Sequence, residues 1–178
     1  MKKAVLLFAT VLLCGCAGEL TTEIAMRKIE DCQEFNVPFY APFNTGAENL
    51  TGENYKNPEN YIRTNYGKLI DAGLITATVE DGNSWRKSLI IKLTSKGEEF
   101  VERNRSGEES LCVRVCRAKP LAIDSLIVIR ENKEVEVCYT IVEDDVTLFG
   151  EYLGFVEGKP HTDRRRFIKK GFGWQIAD

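Results

Sequence analysis

The pattern of apolar and polar positions changes period several times along the chain. After an apolar opening run, near-helical spacing of Leu20, Ile24, Ile29 and Cys32 predicts a first helix over 20–34, with Thr21 or Thr22 as its cap. Positions 35–57 are broken by Pro, Gly and Asn and predict a connecting loop or a short extended piece. Its aromatics Phe35, Phe39, Tyr40 and Phe43 are expected to tuck beneath a small core. Asn57 then offers a cap and Pro58 suits a first helical position. Tyr61, Ile62, Tyr66, Leu69 and Ile70 form a helical stripe, and Gly73 supplies the stop. LITATVE predicts a strand, Asp81-Gly82-Asn83-Ser84 a turn, and WRKSLIIKL the returning strand. Ser95 with Glu98 reads as a capping box opening a helix that runs to about residue 104.

Beyond residue 105 the period drops to two. LCVRVC alternates, and so do Ile123, Ser125, Ile127 and Ile129, then Val135, Val137, Tyr139 and Ile141 after a turn at 131–134. The last two runs predict an antiparallel hairpin. Segments 151–156, 164–169 and 173–176 are expected to complete a small sheet, with Trp174 as a core plug. The fold class is therefore α+β.

The first fifteen residues follow another grammar. Lys2 and Lys3 precede an apolar run from Ala4 to Leu13 that is too short to span a bilayer as a mature helix. The run ends in Leu13-Cys14-Gly15-Cys16, which resembles the lipobox of bacterial lipoproteins. Cleavage before Cys16 leaves a small residue, Gly15, at the position that needs one, whereas cleavage before Cys14 would place Leu13 there. The resemblance implies a signal peptide over 1–15, lipid attachment at Cys16 and an address in the cell envelope. Ala17 in place of an aspartate implies sorting to the outer membrane, facing the periplasm.

The segment LIDAGLITATVEDGNSWRKSLIIKLTSKGEEFVE is similar to the last part of winged-helix domains, especially regulators of the multiple-antibiotic-resistance type. A helix ends in a Gly-Leu-Ile step, a charged hairpin stands as the wing, and Leu-Thr-x-x-Gly opens the next helix. The resemblance implies a winged-helix-like unit, giving three expected regions. These are the signal at 1–15, the anchor, first helix and winged-helix-like unit at 16–104, and an antiparallel β unit at 105–178. DNA binding does not follow from it. Between residues 57 and 104 seven basic residues (Arg63, Lys68, Arg86, Lys87, Lys92, Lys96, Arg103) face seven acidic ones (Glu59, Asp71, Glu80, Asp81, Glu98, Glu99, Glu102), so counterion release supplies no drive. The expectation is a structural or protein-interaction surface and no nucleic acid.

Charge points the same way. Losing Lys2 and Lys3 from 24 basic residues leaves 22 against 27 acidic ones, a net charge near −5. Cysteine usage fits an oxidising compartment: beyond Cys14 and Cys16 stand Cys32, Cys112, Cys116 and Cys138. The spacing in LCVRVC keeps Cys112 and Cys116 from bonding each other, so the expectation is one or two disulfides with Cys32 or Cys138. No CxxC pair or histidine partner supports a metal.

Charge is segregated in the last third. Glu143, Asp144, Asp145, Glu151 and Glu157 are followed by Lys159, Arg164, Arg165, Arg166, Lys169 and Lys170. Cross-strand pairing is the plain expectation. The sharper one is that Arg164, Arg165 and Arg166 grip an anionic envelope component through bidentate contacts. His161, the single histidine, lies in Gly-Lys-Pro-His-Thr-Asp and reads as an exposed turn residue. No nucleophile elbow, zinc motif or phosphate loop is present, so neither an enzyme nor a cofactor is expected. The functional expectation is a lipid-anchored, non-enzymatic envelope module that binds an envelope protein. The alternative is a binder of an anionic glycan or small ligand through the C-terminal β unit.

Overall fold

The computed structural model describes residues 18–82, 86–102, 111–171 and 173–177; the lipobox with Cys16, residues 83–85 of the expected turn and the segment 103–110 lie outside the described residues. The fold is α+β, with antiparallel sheets throughout. Two short helices, α1 (Thr22–Glu30) and α2 (Gln33–Asn36), lead into strands β1 (Phe39–Phe43) and β2 (Gly46–Leu50). Helices α3 (Gly52–Lys56) and α4 (Pro58–Asp71) precede the hairpin β3 (Ile75–Asp81) and β4 (Lys87–Leu93), which a one-turn helix, α5 (Ser95–Glu98), closes. Then come β5 (Leu111–Arg130), β6 (Glu134–Asp144), α6 (Leu148–Tyr152), β7 (Pro160–Lys170) and β8 (Gly173–Ile176).

Local chemistry explains the best-marked elements. Thr21 Oγ1 accepts from Ile24 N–H and caps α1. Asn57 accepts from Asn60 N–H with Pro58 behind it, and Gly73 takes φ +70° past the end of α4. The segment 35–57 is extended in β1 and β2, and it also holds the end of α2 and all of α3, which its composition did not indicate. The predicted strand at 151–156 is replaced by α6, capped where Thr147 Oγ1 accepts from Gly150 N–H. The helix expected to reach residue 104 ends at Glu98, its cap is Thr94 rather than Ser95, and Val101 bridges to Val113 instead.

Among the described residues the strands form a five-stranded sheet, β1-β5-β6-β7-β8, and a three-stranded sheet, β2-β4-β3. Strand β5, twenty residues long, links two cores. In one, its first half packs with the smaller sheet, α4 and α6 around Phe43, Leu69, Ile75, Leu89, Val115 and Phe149. In the other, α1 lies on the larger sheet, burying Ala25 and Ile29 with Val135, Val137, Tyr139, Phe167 and Trp174. The cores therefore do not divide at residue 105. Helix α1 belongs with the C-terminal strands, and Val113 and Val115 belong with the hairpin unit. Trp174 is the expected plug, 5 % exposed, with its Nε1–H donating to the Gly18 carbonyl at 3.0 Å.

Candidate functional site

Strand alternation decides where the charged residues of β7 go. Residues 164, 165 and 166 point to alternate faces, so the expected arginine cluster is split. Arg164 pairs with Glu136 at 3.3 Å and Arg166 with Glu134 at 3.2 Å, on the sheet face away from α1. Glu134 also holds Arg130 at 3.2 Å. This is a cross-strand ladder of opposite charges, and it leaves no joint arginine grip on an anion.

Arg165 goes to the other face and enters a cleft of about 520 Å³ between the α2–β1 connection, β5, β6 and β7. Its guanidinium pairs with Glu34 of α2 and donates through Nε to Tyr139 Oη at 3.3 Å. Tyr139 donates in turn to Asp163 Oδ2 at 2.7 Å. Burial pushes the Tyr139 phenol up to about 12, and the hydrogen bond from Arg165 only partly offsets it, so the hydroxyl stays a donor. The hydrogen bond to Tyr139 and the Glu34 carboxylate raise Arg165 further above its ordinary value.

The second polar cluster stands on the neighbouring pair of strands. His161 is part of β7 rather than a turn, and the β6–β7 register places it opposite Ile141. Its Nε2 lies 2.8 Å from Glu143 Oε1. Glu143, 8 % exposed, also accepts the Val156 N–H, which ties the loop after α6 to β6. Burial alone would raise the Glu143 carboxyl. The Val156 N–H, His161 and Lys159 outweigh it and hold the carboxyl below its usual 4.5. Glu143 should therefore stabilise the fold above about pH 4.5, with the contribution lost as pH falls through the depressed native value. Glu143→Ala is expected to cost about 1–3 kcal/mol at pH 7 by leaving a backbone donor unsatisfied. That deficit should shrink in urea melts as pH falls below about 4.5 and through the depressed native value.

Between the two clusters the floor is apolar, built from Phe35, Ile141, Val142 and Phe155, with Val37 and Phe39 at the rim. Phe39 is 53 % exposed and meets Phe155 at 5.8 Å between ring centroids. Phe35 stands edge-on to Tyr139 at 6.4 Å. Of the loop aromatics, Phe43 is fully in the core, whereas Phe39 is a surface residue of this cleft.

Cys116 also lines the cleft with His161 and Glu143, a set that invites a nucleophilic reading. The electrostatics oppose it. Burial, reinforced by Glu143 and Glu157, pushes the thiol up to about 11, opposite to the shift that activates a cysteine nucleophile. Among the described residues no group of His, Cys, Asp and Glu is arranged to hold a metal.

The expected disulfides are not formed among Cys32, Cys112, Cys116 and Cys138. Register explains much of this. Cys138 lies six residues along β6 from Asp144, the partner of Arg117, which puts it about 20 Å from Cys116. Bridged Cα atoms need about 4.4–6.8 Å. Cys138 alternates with Val137 and Tyr139 and so faces away from α1, which ends beside Cys32. No family model matches the chain, and no curated protein or solved structure matches it either.

Proposed function

We propose that the chain is a lipid-anchored envelope protein, held at Cys16 and facing the periplasm, whose cleft binds a protein partner without catalysing a reaction. The observation that carries this reading is the composition of the cleft. Most of its ionisable groups are already matched to one another, His161 with Glu143, and Arg165 and Asp163 with Tyr139 and Glu34, while Arg117 at its edge turns to Asp145 outside it. The surface left for a partner is the apolar floor with exposed Phe39 and Val37. An apolar patch with aromatic anchors beside paired polar groups is the usual anatomy of a protein interface.

Gly18, two residues past the proposed anchor, and the cleft lie at opposite ends of the larger sheet. Gly18, two residues after Cys16, is held by Trp174 near one end of β7, and His161 stands near the other. Such a polarity presents the cleft away from the bilayer. The unit from β2 to α5 is winged-helix-like in this reading, supported by its helix, hairpin, helix order and by the Thr94-x-x-Gly97 start of α5. It serves as a scaffold for the cleft side of β5, and its balanced charge gives nucleic acid no hold.

Affinity capture from chemically cross-linked envelopes tests the proposal. Recovery of a specific protein after glycan digestion supports it. Recovery abolished by digestion favours the alternative, a binder of an anionic glycan.

A further inference from the structure

We propose that the end of the larger sheet opposite the cleft docks on an anionic phospholipid surface, with Ile127, Val128 and Ile129 entering the headgroup region; this rests on the reading of Cys16 as the anchor. Covalent geometry sets the constraint. Cys16 and Gly18 are two peptide steps apart, at most about 7 Å along the chain. The Gly18 carbonyl is fixed by Trp174, and Trp174 lies opposite Lys169 in the β7–β8 ladder. Lys169 N–H donates to the Lys133 carbonyl at 2.9 Å, and Lys133 N–H to Arg130 at 3.0 Å. The point where the chain leaves the domain and the β5–β6 turn therefore share one end of the sheet. A lipid at Cys16 brings that end to the bilayer.

What the end carries fits the surface it would meet. Ile127, Val128 and Ile129 are consecutive on β5 and are 46 %, 63 % and 45 % exposed. Val128 pairs with Val135 on the α1 face, Ile127 pairs with Glu136 on the opposite face, and Ile129 sits in the irregularity between Val128 and Arg130, so the exposed tip of β5 extends beyond the cover that α1 gives. Around the tip stand Arg130, Lys133, Lys169 and Lys170. Against them are Glu19, Glu131 and Glu134, the last already held by Arg130 and Arg166. The acidic residues Glu143, Asp144, Asp145, Glu151 and Glu157 lie at the cleft end, in β6, α6 and the adjoining loops. An acidic protein thus turns its basic, apolar end toward the anchor, the orientation favoured by anionic lipid.

The full lipidated protein, reconstituted into phosphatidylethanolamine and phosphatidylglycerol vesicles with a shallow spin-labelled lipid, tests the docking. Val128→Trp and Val156→Trp are compared after subtracting the signal of the unsubstituted protein. Both sites are exposed, so neither change should disturb the core. The expected result is several-fold stronger quenching at position 128 than at 156, weakened by Lys133→Glu with Lys170→Glu. Equal quenching at both positions in protein that co-floats with the vesicles would overturn the docking and leave the anchor standing. Protein that does not co-float would overturn both.

Discussion

Cys16→Ser is expected to shift the protein from the membrane fraction to the soluble one, or to leave it as unprocessed precursor. Each buried CH₂ of an acyl chain contributes about 0.8 kcal/mol, so the two or three chains of a lipoprotein make attachment effectively permanent. Three half-exposed aliphatic residues and a few lysines cannot replace that. Fractionation with mass measurement of the mature N-terminus reads the outcome. A normally processed Cys16→Ser protein that stays in the membrane would refute the anchor.

The largest effect on stability is expected at two glycines that share one device. Helices α5 and α6 both begin Thr-x-x-Gly, at Thr94 to Gly97 and at Thr147 to Gly150. In each, the threonine hydroxyl caps the helix by accepting the glycine N–H at 3.1 Å. Each threonine N–H also donates to a carbonyl of a crossing segment, Leu74 at 3.0 Å or Val115 at 2.8 Å. The helix turn is thereby pressed onto that carbonyl. A Cβ at Gly97 would stand 2.1 Å from Leu74 O, and one at Gly150 would stand 2.2 Å from Val115 O. Backbone cannot swing aside as a side chain can, so Gly97→Ala and Gly150→Ala should each cost about 3 kcal/mol, the upper part of the overpacking range. Gly158→Ala, with φ +74° but open space around it, should cost only about 1 kcal/mol. Urea midpoints at unchanged slope measure all three. Comparable losses at all three positions would show that conformation, rather than close approach, sets the cost.

The elements legible in the sequence were those whose signals are local. Helix α4 announced itself through Asn57, Pro58 and Gly73, and β3, β4 and the β5–β6 hairpin through runs that alternate or end in turn residues. Strand β2, GAENL, has only Ala47 and Leu50 as apolar residues and is a strand because β4 pairs with it. Strand β1 carries Pro42, tolerable because β1 is an edge strand. Helix α6 has five residues, too few to show a helical period, and is fixed by Thr147 and Gly150.

The candidate site was legible only in part. The split of Arg165 from Arg164 and Arg166 follows from the two-residue period of a strand, but their partners Glu34, Glu136 and Glu134 depend on register. His161 looked like a turn residue because its neighbours are Pro160, Thr162 and Asp163. Glu143, eighteen positions away, becomes its partner only through β6–β7 pairing. The acidic run at 143–157 gives no such signal, because the arginines that follow it pair with Glu134, Glu136 and Glu34 instead.

Site-directed photo-crosslinking in intact cells shows what occupies the cleft. With a photoreactive residue at Phe39, on the cleft rim, the expected result is a covalent adduct with one protein of defined mass, resistant to glycan digestion. No adduct from position 39, or one that glycan digestion removes, would contradict the reading of the cleft as a protein-binding site.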